Sequence, residues 1–241
     1  MEPLESHLLG QTEQRVSFWH EVRASAVLER VPVAQPSALA DIGAGAGLLA
    51  DILGRDRPKC SYHFFEPLDA LAARLAERNG SAARLRSETD VSEVDVVTLL
   101  DVLEHIEDDR AFLVGLVRAM RPGATLVLTV PALPALWSPW DEQLGHFRRY
   151  TRSTLRAVAS GLPLAVDEVS YLFPELLVPG FVRRVLGRRG GKAGDGGGSD
   201  FPELPRPLDR TLRVLSGLTY RARKLSPAGT SLVLVARRER S

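Results

Sequence analysis

The chain has 241 residues, 44% of them hydrophobic, enough to bury one sizeable core and to form one α/β domain with embellishments. Its single cysteine, Cys60, excludes an internal disulfide and a Cys-based zinc site and fits a reducing compartment. The formal net charge of +1 hides an uneven split, because residues 171–241 carry 14 Lys/Arg against 6 Asp/Glu, a balance of +8 that leaves −7 for residues 1–170.

The opening stretch, MEPLESHLLGQTEQ, carries acids and lacks the apolar core of a signal peptide, so a cytoplasmic protein is the expectation. Glu13 to Arg30 reads as a helix with Val16, Trp19, Val22, Ala26 and Leu28 to one side, a cap within residues 1–35 lying across the sheet edge. Short apolar runs and helix-period segments then alternate. Strands are expected at SALADI (37–42), SYHFFE (61–66), AARLR (82–86), VDVVTLL (94–100) and ATLVLTV (124–130). Helices are expected over Leu48 to Gly54, Leu68 to Asn79, Asp108 to Met120 and Thr151 to Ser160, with Gly80, Arg121-Pro122-Gly123 and Gly161 as stops. The uncharged run from Pro122 is broken by Pro131 and Pro134, so it reads as a strand and a loop rather than a membrane span. LAVDEVSYL (164–172) and SLVLVARR (231–238) bring the count to seven strands. This order predicts a parallel sheet with helices on both faces and a last strand that runs antiparallel.

One domain over residues 1–241 is expected, with its core in 36–172, a helical and flexible insertion in 173–229 and the last strand in 230–241. Within the insertion, GRRGGKAGDGGGSD is too glycine-rich and polar to bury anything and reads as a flexible loop. On either side of it, PELLVPGFVRRVLGRR and PLDRTLRVLSGLTYRARK space Leu and Val helically with Arg opposite. These read as two helices packed on the sheet with solvated arginines; a substrate cap, a homodimer contact or a surface drawn to anionic lipid are the alternatives. No aromatic-basic platform for nucleic acid is visible.

DIGAGAG, Asp41 to Gly47, ends the first strand and opens a helix, where open α/β sheets bind ligands. A dinucleotide site wants G-x-G-x-x-G, but here the third glycine comes one residue early and Leu48 stands where that pattern needs glycine. Glu66 closes the second strand, 23 residues after Gly43, and its carboxylate suits two ribose hydroxyls. The fourth strand runs into LLDVLEHIEDD.

From about Trp19 to Arg238 the sequence resembles the class I S-adenosylmethionine-dependent methyltransferases: ALADIGAGAG their glycine motif, FFEP their ribose-binding acid. DVLEHI resembles the post-strand motif of a subgroup that includes ubiquinone-biosynthesis-type O-methyltransferases, and WSPWDEQLGHFRRYTRSTL is similar to a stretch in many bacterial members of it. The resemblance implies a Rossmann-like, seven-stranded, mostly parallel sheet with an antiparallel last strand and S-adenosylmethionine as cofactor. It puts Asp41, Gly43, Ala44 and Gly45 around the methionine portion, Glu66 on the ribose, Pro67 against the adenine, and Leu100 and Asp101 facing the cofactor. RLRSETDVSEVD leaves open whether Glu88, Thr89 or Asp90 contacts adenine. In blander readings the glycines only let strand and helix pack closely, Glu66 is a solvated strand end and Asp101 caps the next helix.

Transfer to an alcohol or phenol gains from a general base, and His146, in the loop after the fifth strand, is the candidate. That loop also carries Trp137, Trp140, Asp141, Arg149 and Tyr150, which with His105 form the expected acceptor pocket. In the structural alternative, Asp141 and His146 merely hold each other. No metal is assigned; Asp101, Glu104, His105 and His146 are the ligands if one binds. The expected function is methylation of a small-molecule acceptor, O-methylation favoured. Its rivals are a cofactor- or partner-binding domain without catalysis and a nicotinamide-dependent oxidoreductase.

Overall fold

A computed structural model describes residues 16–179 and 204–240. In chain order its strands are β1 (Ser37–Ile42), β2 (Cys60–Phe65), β3 (Val96–Leu100), β4 (Thr125–Pro131), β5 (Leu164–Leu172) and β6 (Ser231–Arg238). They form one six-stranded sheet in the order β2-β1-β3-β4-β6-β5. β1 pairs in parallel with β2 and β3, and β3 with β4, whereas β6 runs antiparallel between β4 and β5. The antiparallel last strand is as expected.

Helices cover both faces because the central strands are apolar on both. Leu39, Val96, Val127, Val233 and Val235 point to one face, under α1 (Phe18–Leu28) and α2 (Leu48–Asp56). Their neighbours Ala40, Val97, Leu126, Leu128, Leu232 and Leu234 point to the other, under α4 (Asp109–Ala119) and α6 (Arg152–Ala159). The period of two along each strand thus sorts residues between two cores. Between them in sequence, α3 (Asp69–Asn79) packs Leu75 and Ala72 against Phe64, and α5 (Pro139–Gln143) is a short helix after β4.

Among the described residues the sheet has six strands and not seven. AARLR (82–86) forms a turn, Ser81–Ala83, and a single bridge from Arg84 to Phe64. The polar run that follows satisfies its own backbone: Asp90 Oδ2 accepts from Arg86 N at 3.4 Å and Ser87 O accepts from Asp90 N at 3.2 Å. Such local bonds compete with a sheet ladder.

The N-terminal helix also lies elsewhere than expected. Ser17 caps it, with His20 Nδ1 accepting from Ser17 N at 3.1 Å, and its Phe18, Val22 and Val27 are buried over β1, β3, β4 and β6 rather than at the sheet edge. Burying a side chain of that size contributes about 1.5–3 kcal/mol, so the apolar stripe takes the helix to the widest apolar surface.

From the insertion, the described part is a turn at Pro174–Leu176, helix α7 (Arg206–Arg221) and a turn at Arg223–Leu225. α7 lies against α1, where Asp209 Oδ1 accepts from Phe18 N at 2.9 Å and Arg213 pairs with Glu21 at 2.7 Å. Arg223 is buried and bonds Glu168 at 2.7 Å and Glu29 at 2.8 Å. Two of the arginines read as solvated are therefore structural. The glycine-rich loop lies outside the described residues.

Candidate active site

The carboxyl ends of β1, β2 and β3 open on a cavity of about 350 Å³, within the range of small-molecule sites. The DIGAGAG loop forms one wall. A Cβ on Gly43, at φ +73°, would sit 2.6 Å from Val102 Cγ2, so this glycine lets the loop pass the turn after β3. At Gly45, φ +55°, no protein atom lies within 4 Å of where a Cβ would be, so the position opens to the cavity. Neither glycine therefore serves to pack the strand on the helix: Gly43 admits the turn after β3 and Gly45 faces the cavity.

Glu66 follows β2, which runs beside β1 with Phe65 opposite Ile42. Its Oε2 accepts from Gly45 N at 2.8 Å and its Oε1 from Leu68 N at 3.0 Å. The residue is 4% exposed, not a solvated strand end. Burial raises its pKa, and the two backbone N–H groups partly offset that rise. A carboxylate accepts about four hydrogen bonds, so it keeps capacity for a ligand's hydroxyls.

Asp41, at the end of β1, accepts from Thr98 Oγ1 at 2.8 Å and Tyr62 Oη at 2.9 Å. Burial pushes its pKa up to about 6 against those two bonds. Asp101 follows β3 with φ +58°, a left-handed conformation that Asp tolerates better than most residues. It accepts from Thr129 Oγ1 at 2.9 Å and forms an ion pair with Arg23 of α1. It does not cap the next helix; Asp108 does, accepting from Ala111 N at 2.9 Å. Asp41, Glu66 and Asp101 line the cavity against one guanidinium, Arg23, so the site favours a ligand bearing positive charge.

Beyond Asp101, the turn Leu103–His105 puts His105 on the cavity wall. The loop after β4 folds back on this turn: Phe147 N donates to Glu104 O at 2.8 Å and Leu144 reaches the cavity. His146 meets His105 edge-on with ring centroids 4.7 Å apart. Its Nδ1 lies 3.1 Å from Asp141 Oδ1, which also accepts from Arg149 Nε at 2.6 Å. Ligand atoms of Glu104, His105 and His146 all lie within 4.8 Å of one another, whereas Asp101, held by Arg23 and Thr129, is not part of that group.

A family model described as a methyltransferase domain matches residues 18–169, more than half of the chain. The chain belongs to that family.

Solved structures agree with this methyltransferase in fold. A Haloferax volcanii protein described as a putative methyltransferase, in complex with the activator Trm112, is 17% identical over 92% of this chain and 91% of its own, with a TM-score of 0.57. A putative sarcosine dimethylglycine methyltransferase of Galdieria sulphuraria is 17% identical over 91% of this chain and 84% of its own, with a TM-score of 0.57. The [4+2]-cyclase SpnF is likewise 17% identical, over 99% and 94%, with a TM-score of 0.58. None of the curated proteins matches the chain.

Asp41, Gly43, Ala44, Gly45, Glu66, Pro67, Leu100 and Asp101, the eight residues expected on the cofactor of the methyltransferase, share the one cavity. Glu88, Thr89 and Asp90 are not on its wall. On the acceptor side the expectation needs correction. Of its residues only His105 lies on the wall, with His146 behind it. Tyr150 is 1% exposed in the core and donates to Asp109 Oδ2 at 2.7 Å, so it is no substrate contact. Asp141 and Arg149 are taken up by each other, and Trp137 and Trp140 stand half-buried off the wall, Trp137 Nε1 donating to Glu142 at 3.2 Å. Sequence reasoning missed His20, Arg23 and Leu144. Arg23 left a signal: it lies four residues after Trp19 on the apolar side of α1, where a charge requires a partner.

Proposed function

We propose that this enzyme transfers the methyl group of S-adenosylmethionine to an oxygen of a small organic acceptor, with His146 as general base. The observation that carries the donor is the acidic cavity around the glycine loop. Three carboxylates against one guanidinium suit a sulfonium and an ammonium and oppose the pyrophosphate of a nicotinamide cofactor. Glu66 would take the ribose hydroxyls on the oxygen sites its two N–H donors leave open.

On the acceptor side, Asp141 fixes His146 through Nδ1 and so leaves Nε2 for the proton. As the acceptor oxygen bonds the methyl carbon, the carbon–sulfur bond breaks, S-adenosylhomocysteine leaves and the acceptor proton passes by way of His105, on the cavity wall, to the His146 imidazole behind it. His105, on the wall, orients the acceptor for in-line attack. One observation favours a second reading: Glu104, His105 and His146 form a two-histidine, one-carboxylate set that fits a divalent cation. Such a cation would polarise the acceptor hydroxyl.

The donor reading is tested by calorimetry. Glu66→Ala should weaken S-adenosylmethionine binding about 10–150-fold, the loss of charge-assisted hydrogen bonds worth about 1.5–3 kcal/mol. Unchanged affinity in the folded variant rejects the ribose role. Gly45→Val should also weaken binding, by at least about tenfold, because its side chain enters the open space. Its backbone strain of about 1–3 kcal/mol should be visible as a lower melting temperature without unfolding. Labelled methyl transfer to a panel of phenols, alcohols and amines tests the acceptor; incorporation into amines alone rejects O-methylation, and none at all favours a binding domain.

A further inference from the structure

We infer that the outward face of α7 docks on an anionic lipid bilayer. The helix buries Asp209, Ser216 and Tyr220 against the rest of the molecule. Opposite them, at 100° per residue, fall Val214, Leu215 and Leu218, which are 67%, 41% and 57% exposed, with Leu208, 47% exposed, at the edge of the same face. Leu225, just past the helix, is 86% exposed. Single exposed leucines are ordinary, but a stripe of them along one helix is an interaction surface.

The charges beside the stripe select the occupant. Arg206, Arg210, Arg221 and Lys224 are exposed and form no ion pair with another described residue. The only acid of α7, Asp209, is buried under Phe18 and Arg213, so the exposed face carries cations alone. A second copy meeting this face by two-fold symmetry would set the same cations against each other. Of the chain's own segments outside the described residues, 180–203 carry five Lys/Arg against three Asp/Glu, a like charge that disfavours them here, and 1–15, with three Glu against one Arg, are the competing occupant that the melting measurement below tests. Nucleic acid would leave the leucines in water. An apolar stripe edged by Arg and Lys is the pattern of a helix lying in the interface of an acidic membrane. No described helix is long and apolar enough to cross one, so the contact is in-plane. α7 rests on α1, which supplies Arg23 to the cavity, so the docking helix and the active site share a supporting wall.

Flotation of the full chain with vesicles of phosphatidylcholine, alone or mixed with phosphatidylglycerol, tests this. The mixed vesicles should bind the protein at least about tenfold better, and added salt should weaken binding. Val214→Glu with Leu218→Glu, and separately Arg210→Glu with Arg221→Glu, should each lower binding at least about tenfold while melting temperature and S-adenosylmethionine affinity stay unchanged. Failure of the unaltered protein to bind, or variants that bind as well as it does, overturns the inference. A dimer in light scattering that Leu218→Glu dissociates overturns it in favour of a second copy. A marked fall in melting temperature with Leu218→Glu overturns it in favour of the chain's own residues.

Discussion

Asp141→Ala should lower the stability of the enzyme by about 3–5 kcal/mol, the cost of leaving buried charge without its partner. The Asp141 side chain is 0% exposed and accepts from Ser138 N at 2.9 Å and Arg149 Nε at 2.6 Å, with His146 Nδ1 at 3.1 Å. Burial alone would push its pKa up, yet the bonds from His146 and Arg149 and the Arg149 charge overcome that and hold it at about 2. The sign of the pH dependence follows from this lowering. In the unfolded chain the carboxyl titrates near 3.8, so its stabilisation is complete above that pH and is lost as pH falls toward 2. Denaturant melts of the unaltered protein and of Asp141→Asn, which cannot ionise, should converge over that window. A fall of under about 1 kcal/mol for Asp141→Ala at neutral pH, the range of an exposed pair, would show that the cluster is not buried in solution.

His146→Ala should lower turnover about 10²–10⁴-fold, the range of a general base, while S-adenosylmethionine affinity stays within a few-fold. The separation follows from geometry, because His146 meets His105 and Asp141 and does not line the cavity. The cation reading makes a different demand. If Glu104, His105 and His146 hold a divalent ion, a chelator abolishes turnover of the unaltered enzyme and the added ion restores it, whereas a base alone is indifferent to the chelator. Full turnover of His146→Ala in the presence of chelator eliminates both roles and leaves positioning as the enzyme's contribution.

The sequence by itself determined most of the elements and the glycine-loop wall of the cavity. A short apolar run bounded by turn residues marks a strand locally, so SALADI and LAVDEVSYL are strands at the residues expected, Ser37–Ile42 and Leu164–Leu172. The short crossover between β1 and β2 makes them parallel neighbours, and that adjacency brings Glu66 to Gly45. These readings succeed because the information is local: a period, a glycine, an acid at a strand end.

Tertiary structure alone decided the rest. AARLR has strand-like residues, but the polar run after it bonds to itself and only Arg84 pairs. Whether Tyr150 faces substrate or core depends on Asp109, 41 residues away, whose carboxylate takes its hydroxyl. The position of α1 was fixed by the apolar face spanning β1, β3, β4 and β6, and only that position brings Arg23 to Asp101. Each of these is a choice among partners far apart in the chain. Composition and periodicity say that a side chain must be buried or paired, but the partner is set by which elements the sheet order makes neighbours.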